Sequence, residues 1–171
     1  MEKTLKETIN SSRNFTPEVI QRFLTRFEEN NFTRDEEPKT HFCVYFFPYD
    51  KATKKVFMVH HKKANLWLSP GGHIDRGETP IQALEREIKE ELGVIYEAEA
   101  DTAPFLLTMT PIDNTIQPCK MHYDIWYLFQ TDGSNFKVDP AEFHETKWLT
   151  IPEAEKIITE PANLQALNLL K

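Results

Sequence analysis

The segment PGGHIDRGETPIQALEREIKEELGV, Pro70 to Val94, constrains this chain more than any other. Pro80 suits a first helical turn and Gly93 a helix stop, so a helix is expected over Thr79 to Leu92. That helix carries Glu85, Glu87, Glu90 and Glu91. Glu87, Glu90 and Glu91 stand at i, i+3 and i+4, where like charges face one another and destabilise an isolated helix. At about 100° per residue with Glu87 at zero, Glu91 falls near about +40° and Glu90 near about −60°. Leu84, Ile88, Ile81 and Leu92 fall between about +60° and about +140° on the same projection. The reading is a packing face with a separate carboxylate face beside it. Lys89 lies roughly opposite the stripe and cannot neutralise it.

Clustered carboxylates are what a hard divalent cation needs. Mg²⁺ takes oxygen ligands, keeps several waters and commonly acts on substrate phosphates. Such a site activates a water and offsets charge on a phosphoryl group. The preceding GGHIDRGE supplies glycines, which let backbone approach a metal or phosphate closely. Glu78 lies just before the helix, where the N-terminal dipole favours a carboxylate. Arg86 is placed to reach back and brace Glu78.

With Gly72, Glu78, Arg86, Glu87, Ile88, Glu90, Glu91, Gly93 and Val94 in one register, the segment resembles the Nudix box of the Nudix hydrolase family. The resemblance implies an α/β fold, a Nudix-type α/β/α sandwich with a mixed sheet, extending over residues 39 to 160. It implies a pyrophosphohydrolase that cleaves a phosphoanhydride in a nucleoside diphosphate linked to another group. By that similarity Glu87, Glu91 and Glu90 are metal ligands for Mg²⁺ (or Mn²⁺), with the Gly72 carbonyl a further one. Glu78 and Arg86 shape the loop. The general base varies within the family: Glu90 is a candidate in the box, and Glu142 or Glu145, in PAEFHETKW, in a later loop. Pro111 falls close to the position where ADP-ribose-cleaving members carry a proline.

Around the box the chain reads as one domain, residues 1–171. FTPEVIQRFLTRFEENN gives an N-terminal amphipathic helix over about residues 16–30, with Thr16 as N-cap and Pro17 in the first turn. It is also a candidate contact for a homodimer. HFCVYFFPYD and KVFMVHH read as strands joined by a hairpin loop at PYDKATK. Pro70, Gly71 and Gly72 read as a loop. VIYEAEA is expected to be a strand, APFLLTMTPI to continue as sheet, and CKMHYDIWYLFQ and TKWLT to be further strands. IPEAEKIIT and PANLQALNLL are expected to be C-terminal helices. The order fits a mixed sheet covered by helices.

A formal net charge of −7 argues against a surface for nonspecific nucleic-acid binding, but not against a small phosphorylated metabolite with its metal. The polar N-terminus has no apolar core, and the longest apolar run, near Phe42 to Phe47, is too short for a membrane span. Cys43 and Cys119 read as buried thiols, not as a disulfide or metal pair, which fits a reducing, cytoplasmic setting. Lys62 and Lys63, in VHHKK, offer cations to a substrate phosphate. His122 and Asp124 share one strand face and offer polar groups to a binding pocket, against the blander reading of a hydrogen-bonded pair. Two other functions fit the same fold: a metabolite-sensing module that does not cleave its ligand, and an isoprenoid diphosphate isomerase-like enzyme with Cys43 or Cys119 in its pocket.

Overall fold

The structure is a computed structural model, which describes residues 15–113 and 118–171. The expectation that the first residues form no leader lies outside the described residues, as does the start of the single domain. No helix among the described residues is long and apolar enough to cross a membrane.

Helix α1 (Pro17–Glu28) starts where the sequence predicts, with Thr16 Oγ1 accepting from the Val19 amide at 3.3 Å and Pro17 in the first turn. Its apolar stripe buries Phe23 and Phe27, each worth about 1.5–3 kcal/mol of transfer free energy, against the sheet. Phe27 stacks on Phe42 with ring centroids 4.9 Å apart. That stripe is therefore used within the chain. Buried Arg26 fastens the helix by donating to the carbonyls of Asn31 and Thr40.

The described strands are β1 (Thr40–Asp50), β2 (Lys55–His61), β3 (Leu66–Leu68), β4 (Gly71–His73), β5 (Leu106–Pro111), β6 (Met121–Gln130) and β7 (Phe143–Thr150). They form one mixed sheet with the path β3-β2-β1-β6-β5; β4 pairs with β1, and β7 with β2. β1 runs parallel to β6 from Thr40↔Met121 to Tyr49↔Gln130. β1 and β2 pair only at Tyr49↔Val56 and Asp50↔Lys55, then diverge. Into the opening β1 takes β4, and β2 takes β7 and β3. The hairpin connection is thus only residues 51–54, because the strand β1 continues through Pro48 and Tyr49.

Alternation along β1 and β6 makes two layers. Phe42, Val44, Phe46, Ile125 and Tyr127 face α1 and helix α2 (Pro80–Leu92). On the other face Phe47 and Trp126 pack with Leu106 against helices α3 (Ile151–Ala154) and α4 (Pro161–Asn168). This is the α/β sandwich with a mixed sheet that the box resemblance implies.

Three expectations need correction. VIYEAEA forms no strand. Its alternation is real, with Val94 buried and Ile95 82% exposed, but no neighbouring strand completes a ladder. The Ala98 amide donates instead to the Glu85 carboxylate at 2.8 Å. Gly71 and Gly72 belong to a short strand, with Val44↔Gly72 and Tyr45↔Gly71 in register. The helix of IPEAEKIIT ends at Ala154 and continues as turns, because bonds such as Ile157 N to Ala154 O at 3.1 Å tighten the chain.

Candidate active site at the box helix

Helix α2 has the predicted ends. Thr79 and Gln82 form a capping box, and Gly93 adopts φ 66°, a left-handed cap that favours glycine. The helix delivers its glutamates differently from the sequence projection. Glu87 and Glu91 are buried beside Leu84, Ile88 and Leu92, while the Glu90 side chain is 60% exposed. Packing face and carboxylate face therefore do mix. Two of the three carboxylates are pressed between the helix and β4.

The glycines explain how they fit. Glu91 Oε2 accepts from the Gly71 amide at 2.7 Å. A Cβ on residue 72 would lie 2.4 Å from Glu87 Oε1, so only glycine leaves room for that carboxylate. Burial pushes the Glu87 carboxyl up to about 7. Burial, followed by the nearby Glu87 charge, pushes Glu91 well up. For Glu87 this burial outweighs the lowering effect of the Arg86 guanidinium, so ionising both carboxyls is costly.

Arg86 is the hub of the loop. Its Nε and Nη2 bind the two Glu78 oxygens at 2.8 and 2.9 Å, and Nη2 also donates to the His73 carbonyl at 2.8 Å. Its Nη1 donates to Glu87 at 2.7 Å and Glu90 at 3.1 Å. The hydrogen bond from Arg86 holds the Glu78 carboxyl below the usual carboxylate range, and the bond to Glu78 raises the guanidinium in turn. Bidentate pairing of this kind fixes geometry as well as charge.

The two later glutamates separate. The loop before β7 is tied to the end of α2 by Lys137 N to Leu92 O at 2.7 Å and Asp139 N to Glu91 O at 3.2 Å. Glu142 follows this tie, and its charge acts on Glu91. Glu145 points elsewhere, paired with Lys147 at 2.9 Å. Lys62 Nζ donates to the Pro140 carbonyl at 2.5 Å, and Lys63 lies 3.6 Å from Glu142. Both lysines thus reach the same loop, with Lys63 exposed. Pro111 is exposed at the end of β5.

His122 and Asp124 lie buried on the α4 face of β6. Thr108 and Thr110 donate to Asp124 Oδ2, while its Oδ1 has no partner among the described residues. Burial raises the Asp124 carboxyl to about 7 and lowers the His122 imidazole to about 4. The two side chains do not hydrogen-bond each other. Cys43 and Cys119 are free and buried, and burial pushes the Cys43 thiol well up.

No spacing in the sequence marks His41 or Asn163 as functional, and His73 stands out only by its place in the loop before the box helix. His41 and His73 join His122 and Cys43 in one group, buried but for half-buried His73. Asn163 accepts from the Ser69 amide at 2.7 Å and donates to Glu160 at 2.7 Å, so α4 clamps the approach to β4. Only the His-x-Asp spacing on β6 hinted at polar chemistry on this face.

A family model described as NUDIX domain matches residues 39–169. An RNA pyrophosphohydrolase of Acinetobacter baylyi is 34% identical over 99 residues, covering 50% of this chain and 59% of that protein. The chain thus spans about three fifths of that relative. A MutT NUDIX hydrolase from Burkholderia pseudomallei superimposes with a TM-score of 0.64 at 20% identity, over 78% of this chain and 99% of that one. A NUDIX-family hydrolase from Clostridium perfringens gives 0.58 at 27% identity, over 77% and 98%.

Proposed function

Because the chain belongs to the Nudix family, we propose that it is a metal-dependent hydrolase cleaving a phosphoanhydride in a nucleoside diphosphate linked to another group. The observation that carries this is the buried pair Glu87 and Glu91, set against the backbone of Gly71 and Gly72. Two buried carboxylates with raised proton affinity, and a single arginine shared with Glu78 and Glu90, fit a divalent cation. Glu87, Glu91 and the Gly72 carbonyl would hold Mg²⁺ or Mn²⁺, with Glu90 at the exposed side. When bound, that ion offsets phosphate charge and acidifies a water.

The chain's own residues do the rest. Arg86 and Glu78 fix the loop that presents Gly72. Glu142, tethered next to the end of α2, serves as the general base, and exposed Lys63 meets a substrate phosphate. Lys62 positions the Glu142 loop through its bond to Pro140. The substrate is a small phosphorylated metabolite. The thiols weigh against an isomerase, since Cys43 is buried and disfavoured as a thiolate. The complete carboxylate set weighs against a sensor, which needs no water-activating site.

The test is a phosphate-release screen over nucleoside diphosphate derivatives with Mg²⁺ and Mn²⁺. Turnover of one class, abolished by chelator, is expected. Tight binding of a compound with turnover of none would replace the hydrolase by the sensor.

A further inference from the structure

On the sheet face opposite α2, four side chains from three strands meet without a carboxylate among them. β1 supplies His41 and Cys43, two residues apart and so on one face. Pairing with β4 sets His73 beside Cys43, and pairing with β6 sets His122 beside His41. One ligand atom from each of the four lies within 4.8 Å of all the others.

We propose that His41, Cys43, His73 and His122 form a second metal site, distinct from the box, built for a borderline-soft cation of the Zn²⁺ class.

The ring geometry is that of ligands converging on a point. The three imidazole centroids are 4.8, 4.9 and 5.2 Å apart. Rings bound at about 2.0–2.1 Å around a tetrahedral zinc have centroids about 5 Å apart. Their planes are inclined at 63°, 44° and 89°, so they meet at angles and do not stack.

Hydrogen bonding among the described residues leaves His73 Nε2 and both His122 nitrogens unpartnered. His41 Nδ1 lies 3.1 Å from the Glu37 carbonyl. A donor bond there fixes the tautomer, the outer-shell arrangement common for metal-binding histidines, and turns the Nε2 lone pair to the Cys119 thiol at 3.7 Å, a weak contact that a cation would replace. His122 is only 8% exposed, and neither of its ring nitrogens has a partner among the described residues. The buried His73 Nε2 likewise has none. Burying such groups unpaired is unfavourable, and coordination to a cation removes part of that penalty.

The donor set also selects the cation. Imidazole and thiolate suit zinc-like ions, whereas Mg²⁺ requires oxygen. Binding converts the Cys43 thiol to thiolate, with its proton released to solvent. The resulting positive charge faces Asp124, in register with Cys43 across β1 and β6, whose Oδ1 is unpartnered. His73 is the partly exposed member and gives the ion its way in. As His73 follows Gly72, an occupied site would also tie β4 to β1 and β6 directly behind the box. This proposal stands independently of the hydrolase reading.

Cobalt substitution tests it. The metal-free wild-type chain is titrated with Co²⁺ in saturating Mg²⁺. Expected are a thiolate-to-cobalt charge-transfer band and strong tetrahedral d–d absorption, saturating near one cobalt per chain. Both should persist in Glu91→Gln, vanish in Cys43→Ser and weaken in His122→Ala. Weak octahedral absorption alone in the wild type overturns the proposal, whatever the variants do. So does a charge-transfer band that survives in folded Cys43→Ser.

Discussion

Two buried polar clusters meet at one peptide link. Gly72 packs against Glu87, and the next residue, His73, belongs to the imidazole group. They differ in how charge is handled. At the box Arg86 makes hydrogen bonds to Glu78, Glu87, Glu90 and the His73 carbonyl, so most of the polar groups have a partner. Behind it neutral bases and a thiol crowd together with ring nitrogens unpaired. The first cluster is a preorganised anionic site with its own brace. In the second, His41 meets the Glu37 carbonyl and the Cys119 thiol, while both His122 nitrogens have no partner among the described residues. One strand crossing thus separates an oxygen-rich group from a nitrogen-and-sulfur group, a division that would keep hard and soft cations apart.

The largest effect should come from the box. Glu91→Gln should lower kcat by on the order of a thousandfold, the scale of losing one main electrostatic element of a site. Its melting temperature in chelator should hold or rise, because a neutral amide replaces a carboxyl that burial disfavours as an ion. Steady-state rates and a melt in chelator measure both. A comparable kcat loss with a lowered melting temperature would mean that Glu91 is part of the scaffold. Next in size is the proposed general base: Glu142→Gln should cost on the order of a hundredfold, and Glu145→Gln no more than about twofold. Equal losses would erase the distinction between a tethered glutamate and one paired outward with Lys147.

A stability test addresses the brace. Arg86→Lys keeps the charge but cannot contact both Glu78 oxygens and the His73 carbonyl at once. It should cost about 2–3 kcal/mol, since partners lose their pairing inside a half-buried network. For a chain of this size that lowers the melting temperature by about 5–10 °C. An unchanged melt would show that the loop is held by Gly71 and its bond to Glu91 alone.

The same contrast explains what could be read from sequence. The box is contiguous: one helix and its preceding loop carry every group, so spacing alone fixes relative positions. Capping by Thr79 and Gly93 marked the helix ends correctly. The projection failed in one respect. It separated Glu87 from the apolar face, because it could not see that Gly72 leaves space for a carboxylate under β4. The imidazole group was invisible because residues 41, 43, 73 and 122 meet only through strand register. β4 itself was missed, as paired glycines have the composition of a turn and gain a ladder only from β1. VIYEAEA failed in the opposite sense, with strand-like alternation but no neighbour to pair with.

The smallest effect, and the one that separates the clusters by sign, is the pH dependence of stability without metal. Burial moves Glu87 from 4.5 up to about 7, Asp124 from 3.8 up to about 7, and Glu91 in the same direction. Between the ordinary value and about 7 the folded chain keeps protons that the unfolded chain has released. Stability contributed by these groups is then fully present below about pH 4 and is lost as pH rises through about 7. Burial moves His122 from 6.5 down to about 4 and His73 down to about 3. Here the unfolded chain binds protons first, so this contribution is present above 6.5 and is lost as pH falls through about 4 to about 3. The two limbs oppose each other between about pH 4 and about 6.5, so the net dependence there is shallower than that of either limb alone. Urea midpoints measured across pH in chelator should show it. Glu87→Gln should flatten the alkaline limb in part, and His122→Phe the acid limb, each leaving the other intact. Saturating Mg²⁺ should reduce the alkaline limb, because the ion binds the deprotonated carboxylates, and should leave the acid limb unchanged. If Mg²⁺ moved the acid limb instead, the hard cation would be binding among the imidazoles, and the division of ligands between the two clusters would fail.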